Sequence, residues 1–376
     1  MARAWNTRLV AQIDCPGGGQ VWCDGNILYV SHMRPPDGTS IYDVADPRHP
    51  RFLARIELPM GWHSHKVRAA NGLMVVNHER FREGTPEFGG GLGIYDVSKP
   101  GNPRLITKWR VSGEGGGVHR YDFDGRYVYL SPTVEGYVGN IMMILDLERP
   151  EAPQEVGRWW IPGQHVGGGE TYAWDDYVRP RCHHPLRVGN RLYVSYWHHG
   201  FYILDITDMS RPTLISGVNE GPANPHPTHT ALRMPTRLGG RDVLLVADED
   251  VAKLRPSAPS ALRVYDITDE RSPQKIAGFQ TPVLAGSDEP QPQMTGCHQP
   301  SERFEGTVVP FAWFAQGLRL VEMSDPLNPR EVGFYEPDVP AGHERVSSND
   351  VTVDDRGLIY LVDRQQGVSI IERVSI

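Results

Sequence analysis

The chain has few cysteines, no basic excess and no long apolar run, and each shortage excludes a class of protein. Four cysteines in 376 residues show neither the C-x-x-C spacing of a zinc site nor the density of a disulfide framework. Lysine and arginine number 38 against 46 acidic residues, a formal net charge of −8, and no basic run appears, which argues against nucleic acid as a partner. No apolar stretch is long enough to span a bilayer, so no membrane partner is expected. The first residues, Met1 to Arg8 (MARAWNTR), lack the apolar centre of a secretory signal, and a cytoplasmic location is expected. Helical periodicity is scarce. Glycine and proline abound instead, at 40 and 32 residues, which points to an all-β chain dense in turns.

One phrase recurs. It reads IYDVADPRHP from Ile41 to Pro50, IYDVSKPGNP from Ile94 to Pro103, and ILDLERP from Ile144 to Pro150. It returns as ILDITD from Ile203, VYDITD from Val264 and LVEMSDP from Leu320. Each copy is an apolar strand, a turn fixed by aspartate and proline, and a second strand. Before each phrase lies another strand pair, as in GNILYVS from Gly25, GRYVYLS from Gly125 and GLIYLV from Gly357. The unit therefore has four strands, and repetition at this period predicts a propeller. The last unit stops at Ser369 to Ile376 without its fourth strand, and residues 7–13 (TRLVAQI) supply a spare copy of it. An N-terminal strand that completes the last blade removes an open edge and closes the structure. The expectation is a single all-β domain over 1–376, a seven-bladed β-propeller closed by the N-terminal strand. Insertions at 163–181, 284–295 and 336–346 are expected over one face, with the loop from Phe81 to Gly91 reaching the same face.

Taking the first strand of each unit at one phase gives Gly19, His65, His119, His184, His229, His298 and Asn349. Five histidines out of seven are far more than 15 in 376 residues would place there. One phase in a propeller means one radius and height, so these imidazoles converge on an axis. Crowded imidazoles repel one another when protonated and are expected to be neutral at pH 7. Neutral clustered imidazoles favour a transition metal, and a ring without a carboxylate argues against calcium or magnesium. His65, His119, His184, His229 and His298 are the expected ligands of iron or copper first, zinc or manganese second, with His63, His183 and His226 outside them. His184 and His298, with Glu249 and Tyr172, are the expected catalytic groups. Trp197, His198, Arg120 and Glu79 are the expected substrate contacts, and Glu79 and Glu249 are also candidates to orient histidines through their second nitrogen. Three other readings stand beside this one: a wet channel tolerant of polar residues, a metal-free acid–base site, and an interaction platform.

The repeated phrase resembles that of bacterial LVIVD-repeat propeller proteins along essentially the whole chain. That resemblance implies architecture and leaves activity open. In layout alone the histidine ring is similar to two propeller families, and no sequence motif of either is present. Carotenoid-cleavage-type oxygenases hold iron with four histidines, and selenium-binding, methanethiol-oxidase-like proteins hold copper through histidines. Pectate-type propeller lyases with metal-bound histidines show that the same layout also supports elimination. The resulting expectation is a metal-dependent enzyme acting on small organic molecules, aromatic ones included. Oxygenase or oxidase chemistry comes first, and a lyase, isomerase or hydrolase is the alternative. Oligomeric state is left open.

Overall fold

In the computed structural model, which describes residues 2–80, 90–113, 116–251, 258–285 and 292–374, each repeated phrase is a strand end capped by its own carboxylate. Asp43 accepts the Ala45 amide at 2.9 Å, Asp96 that of Ser98 at 3.0 Å and Asp146 that of Glu148 at 2.8 Å. Asp205 holds Thr207 at 2.7 Å, Asp266 holds Thr268 at 2.9 Å, and Glu322 takes the same part for Ser324 at 2.9 Å. The side chain supplies an acceptor where the ladder runs out, which turns the chain at a fixed place. In two copies the other carboxylate oxygen receives the arginine that opens the next strand, Arg51 on Asp43 at 2.8 Å and Arg104 on Asp96 at 2.9 Å. One residue type thus sets both the turn and the entry to the outer strand.

Seven antiparallel sheets result, with strands paired in chain order. They run from Gly18–Asp24 to Arg51–Glu57, from Trp62–His63 and Val67–Ala70 to Arg104–Arg110, and from Val118–Phe123 to Gln154–Trp159. The others run from His184–Val188 to Thr213–Val218, Thr228–Arg233 to Gln274–Phe279, Cys297–Pro300 to Arg330–Glu336, and Ser348–Val353 to Gly367–Arg373. The last sheet takes its fourth strand from Thr7–Asp14, antiparallel to Gly367–Arg373 with Thr7 opposite Arg373. The fold is a seven-bladed β-propeller closed by the N-terminal strand. A second N-terminal strand, Arg3–Trp5, which the repeat does not foretell, extends the sixth sheet beside Arg330–Glu336. Middle strands such as Val243–Asp248 are buried at every position, whereas outer strands such as Gln274–Phe279 are largely exposed.

By its internal contacts the chain divides into two compact units, residues 1–30, 43–51 and 222–376, and residues 31–42 and 52–221. The second holds a core through Val75, Ile94, Tyr121 and Leu130, and another through Tyr129, Ile144, Leu192 and Leu204. The first is packed around Leu320, Val351, Leu361 and Ile371. All four cysteines are buried thiols, and burial pushes Cys23 up to about 12. No helix among the described residues is long and apolar enough to cross a membrane.

The innermost strands carry the feature that builds the site. Thr228 pairs with Asp248 and Thr230 with Ala247, so His229 is an extra residue with no counterpart. The same slip leaves His298 between Cys297 and Gln299, and Asn349 between Ser348 and Asp350. Val118 faces Pro132 while Tyr121 faces Leu130, which puts His119 in a bulge as well. A bulge bends the strand and re-aims the side chain of its extra residue.

The insertion at 163–181 contains two short 3-10 turns, Val166–Gly168 and Asp176–Val178. Buried Gln164 ties it down, donating to the carbonyls of Val138 at 2.8 Å and Asn140 at 3.1 Å while accepting the Ile161 amide at 3.0 Å. Residues 81–89 of the Phe81–Gly91 loop and 286–291 of the 284–295 insertion lie outside the described residues.

Candidate metal centre

Within the unit of residues 31–42 and 52–221, His119 is held from both sides. Its Nδ1 lies 2.7 Å from Glu79 Oε2, and its Nε2 lies 3.1 Å from His183 Nε2. With Nδ1–H donated to the carboxylate, the lone pair of His119 is on Nε2 and faces Nε2 of His183. Two such nitrogens share one proton or share one ion. At metal–nitrogen bonds of 2.0–2.1 Å, ligands on one ion lie about 2.9–3.3 Å apart at octahedral or tetrahedral angles, so the pair fits an ion. A carboxylate behind the ligand is the usual device for fixing its tautomer and raising its basicity.

Two more histidines join this group. The His65 ring lies 4.7 Å from that of His119 and stacks on His63 at 4.3 Å. His63 Nδ1 donates to the Met33 carbonyl at 2.7 Å, which leaves its lone pair on Nε2. Ligand atoms of His63, His65 and Glu79 lie within 4.8 Å of one another. Burial, reinforced by neighbouring imidazoles for His65 and by Arg181 for His119, drives both far below the ordinary histidine range. They are neutral at pH 7, as ligands must be. Burial also raises Glu79, against the opposing pull of Arg181 and His63.

The unit of residues 1–30, 43–51 and 222–376 has its own group. His229 Nδ1 meets Thr230 Oγ1 at 2.8 Å, and His298 Nδ1 donates to the Asn349 carbonyl. Both Nε2 atoms turn to one carboxylate, Glu249, at 3.9 Å for His229 and 3.7 Å for His298. These gaps are too long for hydrogen bonds and shorter than two metal–ligand bonds end to end, about 4.2 Å. The rings themselves are 4.3 Å apart, and His298 stacks on Phe314 at 4.3 Å.

Four of the five expected ligands, His65, His119, His229 and His298, therefore sit in histidine–glutamate groups, two in each unit. His184 stands differently. Its strand pairs without a bulge, His184 opposite Ser195, so the preceding residue, His183, takes the place the bulged histidines hold elsewhere. His184 instead lies with its Nε2 3.3 Å from the Nζ of buried Lys66, and burial with that cation holds it far below the usual range. The ring expected to lack carboxylates has one in each group. Glu79 and Glu249 come from or just beyond second strands, and a count of first-strand positions does not see them. His183 was hidden by the unbulged register.

The remaining predicted contacts are spread more widely. Tyr172 packs edge-on against Trp174 at 5.5 Å within the insertion. His198 lies 5.0 Å from Tyr177, and burial lowers it to about 4. Arg120 is buried, its amide bound to Ser131 Oγ at 2.9 Å, and its charge helps keep His65, His119 and His184 neutral. Trp197 lies 4.7 Å from the His183 ring. A cleft of about 1090 Å³ opens beside it, with Glu79 in its wall.

Together these features define a class: a β-propeller whose bulged inner strands gather histidines and glutamates suited to a metal. More particularly, the LVIVD repeat model matches residues 188–220, the three outer strands of the fourth blade, so this seven-bladed propeller carries an LVIVD repeat there. No curated protein matches its sequence. Among solved structures it is similar to the computationally designed Ika8 protein, at 7% identity over 97% of this chain and 99% of that one, TM-score 0.54. It is also similar to Sqt1 of Saccharomyces cerevisiae, at 9% identity over 96% and 86%, TM-score 0.55. At such identities the likeness is one of fold alone.

Proposed function

We propose that this propeller is a metal-dependent enzyme acting on a small organic molecule, with oxygenase or oxidase chemistry as its leading reaction class. The observation that carries the proposal is the 3.1 Å approach of His119 Nε2 to His183 Nε2 with Glu79 bound behind His119. Several histidines buried together and kept neutral are costly for folding and serve no purpose in a wet channel. An interaction platform gives no reason for them either. Imidazoles with one carboxylate are the donors of non-haem iron, and they also suit zinc or manganese; copper is less favoured than an all-histidine ring would make it. A bound ion would supply oxygen activation if redox-active, or Lewis acidity if not.

The chain's own residues then divide the remaining tasks. Glu79 fixes the His119 tautomer by accepting its Nδ1–H at Oε2, and its raised affinity for protons suits the other oxygen, Oε1, to take a proton from a substrate and return it. Arg120 and its neighbours keep the ligand imidazoles unprotonated. That Glu79–His119 proton pair also supports the second reading, proton transfer in a lyase or isomerase with a Lewis-acidic ion.

The test is elemental analysis of protein purified without chelator or affinity-tag metal, beside a His119→Ala/His183→Ala double variant. Near-stoichiometric iron or copper, lost in the variant, is expected, and oxygen uptake is then the assay. Zinc or manganese lost in the same way moves the function to the second reading. A protein that neither carries nor takes up metal overturns the proposal.

A further inference from the structure

Trp197 has a backbone φ of 48°, a left-handed conformation that bulky side chains avoid at a cost of order 1–3 kcal/mol. It follows Tyr196 in a tight turn, closed by the His199 amide on the Tyr196 carbonyl at 2.8 Å, where glycine would serve without strain. Strain of this kind persists where the side chain's position matters. The indole here has two close neighbours, the His183 ring at 4.7 Å and the Arg181 guanidinium at 5.2 Å. Arg181 stands 3.6 Å from Glu79, beyond hydrogen-bond length, and donates no side-chain hydrogen bond to any described residue. Arg181 and Trp197 both line the cleft of about 1090 Å³, together with Arg179 and the carboxylates of Glu79, Glu135 and Asp176.

From this geometry we infer that the cleft binds a planar organic carboxylate, such as an aromatic acid, with Arg181 as its anchor and Trp197 as its apolar wall. A guanidinium laid on an indole is fixed in orientation and presents parallel N–H groups, the arrangement that grips a carboxylate with two hydrogen bonds. The indole borders the cleft beside that guanidinium and offers apolar surface to a ring held by the carboxylate. Glu79 lies in the same wall, so a ligand so anchored meets the acid that holds His119. The inference rests on the proposed metal-dependent function for its chemistry, and its binding step is separately testable.

The experiment is calorimetric titration of the purified full chain with benzoate, benzamide and cyclohexanecarboxylate, with the metal content of each sample measured in parallel. Benzoate is expected to bind at least about tenfold more tightly than benzamide, since a charged hydrogen-bonded pair outweighs a neutral one. Cyclohexanecarboxylate is expected to bind more weakly than benzoate. Arg181→Met should lose at least about tenfold for benzoate and little for benzamide, with Arg181→Lys between the two. Trp197→Gly should weaken benzoate while leaving the melting temperature unchanged or higher, because glycine relieves the strained φ. A tryptophan that is merely structural would lower the melting temperature instead. Equal binding of benzoate and benzamide, or undiminished benzoate binding by a folded Arg181→Met, overturns the inference. Metal without benzoate binding overturns it and leaves the metal proposal standing. Arginine-dependent benzoate binding by a protein that takes up no metal does the reverse.

Discussion

Glu79 stands behind His119, and a substitution there separates its proposed part in holding a metal from any contact with substrate. Glu79→Gln keeps the shape and removes the charge, so metal affinity should fall by about 10–100-fold, as for other carboxylates behind a ligand histidine. Competition with a chromogenic chelator measures this, and unchanged affinity would reduce Glu79 to a wall of the cleft. The histidines were readable because the repeat fixes their phase; His65, His119, His229 and His298 all reach a glutamate-containing group. The carboxylates were less readable. Glu79 and Glu249 lie at second-strand ends, which places them beside first-strand starts as candidates to orient histidines, but the ring count, taken on first strands alone, leaves them out of the ligand groups. His183 and His184 show the limit most clearly. Adjacent histidines differ by one residue of register, and whether a bulge intervenes is decided by backbone packing that the dipeptide does not encode.

At the scale of elements, side chains that end strands or tie loops are the sensitive points. Asp146→Ala removes the cap on the Glu148 amide and the partner of Arg126, and should cost about 1 kcal/mol. Gln164→Leu strips the Val138 carbonyl of its side-chain donor and the Ile161 amide of its acceptor and should cost about 2–3 kcal/mol. Urea denaturation of both variants gives the comparison, and equal losses would mean that the insertion is not anchored through Gln164. Deleting residues 2–14 uncovers the edge of Gly367–Arg373 along its length. Loss of cooperative melting, with aggregation, is the expected outcome. The strand at 7–13 was legible as a spare copy of a repeated sequence. Arg3–Trp5 was not, because three residues carry no period and the strand is fixed by an ion pair, Arg3 Nε to Glu336 at 2.7 Å, which only the folded edge brings about.

For the whole molecule, buried histidines make stability depend on pH in a definite direction. His78 is lowered by burial from 6.5 to about 4, and His65, His119 and His184 move the same way. At His78 the unfolded chain takes up a proton below about pH 6.5 that the folded chain refuses until near pH 4. Stability is therefore whole above pH 6.5 and declines as the pH falls toward 4, by roughly 3 kcal/mol for His78 alone. Glu79, Asp248 and Asp363, which burial raises, gain protons more readily when folded and offset part of the decline. Urea midpoints of metal-free protein at pH 7.5, 6 and 5 should fall in that order; a flat or rising series would show that the carboxylates outweigh the histidines. The bulges at His119, His229, His298 and Asn349 have a consequence for descent. An extra residue without a ladder partner can be exchanged without unmaking the sheet, so these are sockets that a lineage can refill. Asn349 sits in the same kind of socket as three histidines, and a propeller of this make can acquire or surrender a ligand by one codon while its blades stay as they are.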